Sequence, residues 1–177
     1  MHLSNRIATL IYIVIFASAM SFFGFVYEQI DFIPNYFGLS PINAKIQWTS
    51  FHSITNPAFY HILPSIVTVF CVLMLWFYKH NLLIHQLRKL KIVSALVIVI
   101  NILTGIAVTQ INEKLYFDTS IIETKEVKNL AISWTLLNFS RLSLVAICIK
   151  ILVKMFSIKL ITNKKGTQKM SPDSSIY

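Results

Sequence analysis

Four stretches of the chain are apolar almost without interruption: Ile7 to Val26, Ala58 to Tyr78, Ile92 to Ile111 and Leu130 to Ile149. Each is close to the ~20 residues that a helix needs to cross a hydrocarbon core of about 30 Å. The first and third hold no charged or imidazole side chain, the second holds only His61 and the fourth only Arg141. The pattern predicts an all-α fold: a four-helix transmembrane bundle with spans of about 7–27, 58–78, 92–111 and 130–151. These spans form one membrane domain over residues 1–158. A basic tail over 159–177, rich in Lys and Ser, is expected to be disordered.

The connecting segments carry signals of their own. Ser40-Pro41 reads as a helix start, with a capping hydroxyl followed by a proline at the first helical position, where its missing N–H costs nothing. A short interfacial helix from about Pro41 to Ser53 follows, in a first loop that carries Phe32, Tyr36, Phe37, Trp48 and Phe51. Asn56-Pro57 repeats the signal and opens span two, and Pro64 should bend that helix. The second loop, Asn112 to Asn129, is charged and expected to be helical at both ends.

Composition agrees with the pattern. Of 177 residues, 55% are hydrophobic and 13% charged, against roughly 45–50% and 25% in ordinary soluble domains. The mean hydropathy is +0.65 and the pI about 9.7. A soluble nucleic-acid binder would need its basic charge on one folded surface. Here the charge sits between and after the apolar runs, so no nucleic-acid partner is expected and the bilayer is the first partner.

The distribution of lysine and arginine sets an orientation. Arg6, the segment Lys79–Lys91 and the tail from Lys150 together hold 11 basic residues and one acidic residue, Asp173. The other side holds 4 basic and 6 acidic residues, and Arg141 inside span four completes the 16. Both termini are therefore expected in the cytoplasm of a multi-pass cell-membrane protein. Ala17-Ser18-Ala19 resembles a signal-peptidase site, but only Arg6 precedes the apolar run, and the run continues past that motif; the first span is expected to be retained.

Polar groups inside spans are costly and usually face the bundle interior or a cavity. At helical spacing they form stripes: Ser18, Ser21, Phe25 and Glu28 in span one; His61, Ser65 and Thr68, beside Asn56 and Tyr60, in span two. Span three contributes Asn101, Thr104, Val108 and Asn112, and span four Trp134, Asn138 and Arg141. Most lie in the external half, which suggests an outward-opening polar pocket roofed by the aromatic loop. The competing reading is interhelical glue at roughly 0.6 kcal/mol per hydrogen bond, and it is preferred for Ser18, Ser21, Ser65, Thr68 and Thr104.

Arg141 needs a partner, because a guanidinium near mid-helix costs about 2.5–3.5 kcal/mol even on insertion scales. Glu28 or Asp31 is the natural counter-ion, with Asn101 and Asn138 as further neighbours. His61 is the one histidine inside a span, so haem ligation from facing helices is not expected. His52, His61 and Glu28 lack the spacing of a specific metal site, and no cofactor is assigned. Cys71 and Cys148 stand singly and read as small core residues rather than a redox pair.

Gly24 and Pro34 around the end of span one, Asn56-Pro57, Asn112 to Leu115, and the W-x3-N-x2-R pattern of Trp134, Asn138 and Arg141 together resemble the anthrone-oxygenase-like four-helix membrane proteins. The resemblance covers about residues 7–155 and implies a four-span bundle. In members with an assigned role it implies oxidation of a polycyclic anthrone to an anthraquinone by molecular oxygen, with no evident metal or flavin. On that reading Arg141, Asn138 and Trp134 are the matched site positions, with Asn56 and Asn112 beside them.

A physical division of labour gives Arg141 the stabilisation of an enolate oxygen, Trp134 the stacking on an aromatic substrate, and His61 or Glu28 the proton abstraction. The expected function is thus an oxidoreductase or oxygenase for a hydrophobic aromatic or quinone-like small molecule. The alternative is a non-enzymatic protein that binds a small molecule or lipid, or an accessory subunit of a membrane complex. A transporter is a weaker third reading, for which a homodimer would supply the missing spans.

Overall fold

The computed structural model describes residues 5–38, 40–51, 54, 59–118, 120 and 123–167. Among them the chain is helical throughout, without a strand. Helix α1 (Asn5–Tyr27) passes through a π-helical turn, Glu28–Phe32, into α2 (Ile33–Phe37). Helix α3 is Pro41–Phe51 and α4 is Phe59–Phe77. A 3-10 turn, Lys79–Asn81, leads to α5 (Ile84–Ile106), which continues as a π helix over Ala107–Phe117, and α6 is Thr124–Thr167. Four segments are long and apolar enough to cross a bilayer: Asn5–Phe37, Tyr60–Phe77, Ile84–Phe117 and Thr124–Met155.

The first and third segments outrun their expected ends at 27 and 111, and both do so by widening into π geometry. In the first, the widened turn lies directly before Pro34, whose ring would strike the carbonyl four residues back in a regular helix. The backbone N–H of Ile33 instead reaches the carbonyl of Glu28, five residues back. Helix α4 continues through Pro64, which is buried. Helix α6 continues past Lys159 to Thr167. The expected start of span two at Asn56-Pro57 lies outside the described residues. Helix α3 forms where Ser40-Pro41 predicts it, and ends at Phe51.

The long helices alternate in direction. Helix α1 packs against α4 and α6, and α5 packs against α6 and more loosely against α4. At one end all four contribute to an apolar core: Ile7, Ile11 and Val14 from α1, Leu75 from α4, Leu90 and Val93 from α5, and Leu152 and Met155 from α6. Cys71 and Cys148 belong to this core as buried free thiols. Ser18, Ser21 and Thr68 are buried further along α1 and α4.

The opposite half of the bundle interior is polar and is closed by a second cluster, in which Tyr36, Leu115, Tyr116, Val127 and Ala131 pack with Ile42 and Trp48 of the first connection. Large apolar side chains such as Phe23, Leu63, Phe70 and Leu136 are exposed around the outside. An apolar exterior is what a bundle surrounded by lipid requires.

Charge divides along the same axis. Glu28, Asp31, Glu113, Asp118, Glu123 and Glu126 all belong to the end that carries α3. The other end carries Arg6, Lys79, Arg88, Lys89, Lys91, Lys150 and Lys154, with no carboxylate among the described residues.

Candidate functional site

The polar half is assembled from the ends of α1, α4 and α6 and the π segment of α5. Glu28, the first residue of the π turn, is buried and accepts from or shares a proton with His61: Nε2 and Oε1 are 3.0 Å apart. With a neutral imidazole and an ionised Glu28, Nε2 carries the single ring hydrogen and Nδ1 presents its lone pair. The imidazole lies against the ring of Phe25, with centroids 4.6 Å apart and planes inclined by 22°. Its approach to α1 depends on Gly24, since a Cβ there would stand 2.9 Å from His61 Cε1 and 2.5 Å from Tyr60 Cε1.

Phe25 also meets Arg141, whose Cζ lies 4.3 Å from the ring centroid; the Trp134 ring is 5.6 Å from the same atom. Both distances fall within the range of cation–π attraction. No carboxylate is in direct ion-pair contact with Arg141 among the described residues. The expected Glu28 counter-ion is turned to His61, and Asp31 is exposed. The guanidinium is held instead by a neutral amide and two aromatic faces.

That amide is Asn138, which is wholly buried. Its Oδ1 accepts from Arg141 Nη2 at 3.0 Å, while its Nδ2 donates to the Phe25 carbonyl at 2.9 Å and to Gln29 Oε1 at 3.3 Å. Both amide hydrogens and the carbonyl are thus engaged, which fixes which way the amide points. Trp134 Nε1 donates to Asn112 Oδ1 at 2.9 Å, joining α6 to the π segment of α5.

Among the described residues, His61 Nδ1, Arg141 Nε and Tyr36 Oη are buried in this half without a hydrogen-bond partner. Tyr36 packs on Tyr116 at 5.9 Å between centroids, and Trp48 on Tyr116 at 5.1 Å. The aromatic side chains of α2 and α3 therefore meet on Tyr116 of the π segment.

The cap is fastened from α3. Lys45 is buried and its Nζ donates to the Lys114 carbonyl at 2.8 Å, while the Thr49 hydroxyl is shared between the carbonyls of Lys45 and Tyr116. Burial draws the Lys45 ammonium below its usual range, and Asp118 and Glu126 partly offset this. Asp118 lies below the usual carboxylate range, chiefly because the Ser120 hydroxyl donates to it at 2.6 Å and the Ser120 N–H at 2.8 Å.

Of the residues singled out from sequence, Glu28, His61, Trp134, Asn138 and Arg141 come together, and Asn112 joins them through Trp134. Asn101 does not: it lines a groove between α4 and α5 and its Nδ2 bonds its own helix at the Val97 carbonyl, 2.8 Å away. Asn56 and His52 lie outside the described residues. Sequence reasoning missed Gln29 and Tyr116 as parts of the cluster and placed Tyr36 only in the aromatic loop above it. All three belong to or adjoin segments whose π geometry shifts the 3.6-residue register used to find faces.

No family model, curated protein or solved structure matches the chain.

Proposed function

We propose that the chain is a multi-pass membrane oxidoreductase of the anthrone-oxygenase-like kind, with its basic end in the cytoplasm and α3 lying at the opposite membrane surface. Its substrate is a hydrophobic, hydroxylated aromatic compound that reaches the polar half of the bundle from the bilayer. The observation that carries this reading is the set of buried polar atoms without a hydrogen-bond partner in the polar half: His61 Nδ1, Arg141 Nε and the Tyr36 hydroxyl. Buried polar groups are almost always paired, and these three offer a base and two donors, the complement of an acidic C–H or O–H beside an oxygen.

In this reading His61 removes a ring proton, Glu28 steadies the imidazolium that results, and Arg141 stabilises the enolate oxygen. Phe25 and Trp134 supply aromatic surface. Molecular oxygen then converts the methylene to a carbonyl, one oxygen atom entering the product and the other leaving as water with the two hydrogens removed. Turnover of an added anthrone or hydroquinone by the purified chain, monitored by product absorbance and oxygen uptake, tests it. Turnover should disappear in His61→Gln and Arg141→Gln while the helical circular-dichroism spectrum and elution volume are retained. Absence of turnover in the parent chain, together with absence of any copurifying aromatic compound by mass spectrometry, would overturn the reading.

A further inference from the structure

Away from the polar cluster, the loosely packed seam between α4 and α5 opens into a groove of about 640 Å³. Val72 and Val97, each 5% exposed, form its floor. Val69, Leu73, Ile98 and Ile102 form its walls. From Ser94 to Ile102 it follows α5 for roughly 12 Å at the helical rise. One end is lined by Trp76, whose indole N–H donates to Ser94 Oγ at 2.9 Å, while the Ser94 hydroxyl donates to the Leu90 carbonyl. With the Asn101 amide also bonded within its helix, the groove offers a ligand little but hydrocarbon.

Beyond the Trp76 end the surface is basic. Lys91 precedes Ser94 by three residues, one turn further along α5, and Lys79 opens the 3-10 turn that follows α4, three residues after Trp76; both are exposed. Arg88, Lys89, Lys150 and Lys154 belong to the same end, and Lys89 Nζ reaches the Lys154 carbonyl at 3.4 Å. No carboxylate among the described residues balances them. An apolar slot that terminates in unneutralised lysines matches one molecule of the bilayer: a lipid whose chain fills the slot and whose headgroup is an anion.

We propose that this groove binds one anionic phospholipid, with an acyl chain along Val72 and Val97 and the phosphate at Lys79 and Lys91. The site is separate from the polar cluster and independent of the proposed oxidation. Specificity resides in the lysine pair, because the slot itself cannot distinguish lipids with the same chains.

The test is native mass spectrometry of the full chain in mild detergent with equimolar phosphatidylglycerol and phosphatidylcholine of identical acyl composition. A single phosphatidylglycerol adduct should predominate. Lys79→Gln with Lys91→Gln should lower the preference by about fivefold for each lysine removed, as ~1 kcal/mol per cation implies. Lys150→Gln with Lys154→Gln, an equal loss of charge away from the groove, should leave it unchanged. Leu73→Trp, at a wall position that is 55% exposed, should remove the adducts of both lipids. Equal adducts of both lipids in the parent chain would overturn the proposal, as would an adduct that survives Leu73→Trp. A loss of preference in the Lys150/Lys154 pair as large as in the Lys79/Lys91 pair would replace the site with a diffuse field.

Discussion

Gly24 and His61 are in contact that no side chain at position 24 would permit: a Cβ there would lie 2.9 Å from His61 Cε1 and nearer still to Tyr60. Tyr60 is half exposed and can swing away, but His61 is held between the Phe25 ring and Glu28. Gly24→Ala should therefore separate α1 from α4 and lengthen the His61–Glu28 hydrogen bond. Overpacking of this kind costs about 1–3 kcal/mol. Thermal unfolding in detergent should show a lowered midpoint that Tyr60→Ala restores only in part. Full restoration by Tyr60→Ala would mean that His61 is not fixed.

Asn138 and Arg141 form the second dependence. Substituting Asn138 by Leu keeps the volume but strips the guanidinium of its amide partner and orphans the Phe25 carbonyl and Gln29. Losing a buried hydrogen bond to a charged group costs about 1.5–3 kcal/mol. Asn138→Leu with Arg141→Met, which removes both partners, should be less damaging than Asn138→Leu alone. A double-mutant cycle on unfolding free energy measures this; strictly additive effects would show that the pair is not coupled.

Trp134 makes a finer distinction. Its ring faces Arg141 and its N–H serves Asn112. Trp134→Phe keeps an aromatic face and loses the hydrogen bond, a change of roughly 0.6 kcal/mol for an interhelical bond in a membrane protein. Trp134→Leu also removes the face and should cost more. If the two variants unfold at the same midpoint, the indole contributes packing volume alone.

The apolar runs made the four long helices legible, because only length and hydrophobicity are needed to recognise a segment that can cross a bilayer. Stripe arithmetic was equally effective inside regular helix: Trp134, Asn138 and Arg141 share a buried face, as do Ser18, Ser21 and Phe25, with Glu28 next to them at the start of the π turn. It failed where the helices change period. Tyr116 becomes part of the polar half only through the π segment, and Tyr36 only because α1 persists beyond Tyr27 as α2. Partner choice was also beyond a charge count. Glu28 was as available to Arg141 as to His61; it meets His61, whose approach the missing side chain at Gly24 permits. Asn101 shows the converse, since a polar residue on the expected stripe can satisfy itself on its own helix.

The cap supplies a dependence on pH with two limbs, one acid and one alkaline, and stability rises with pH along both. Asp118 is held below its ordinary value of 3.8 by Ser120. Its contribution is complete above that value and is lost as pH falls through the lowered folded pKa, where the native state must also take up the proton. Lys45 is drawn below its ordinary value of 10.5 by burial. Between its lowered pKa and 10.5 the unfolded chain holds the proton that the folded chain has released, so stability rises with pH across that interval. Asp118→Asn should flatten the acid limb of a plot of unfolding midpoint against pH and spare the alkaline limb. Lys45→Met should flatten the alkaline limb and also release the hydrogen bond to the Lys114 carbonyl. That release should accelerate amide exchange across Pro41–Phe51 by more than in the body of α6. Unchanged exchange in α3 would show that Lys45 does not fasten the cap, and an acid limb that survives Asp118→Asn would place the titrating group elsewhere.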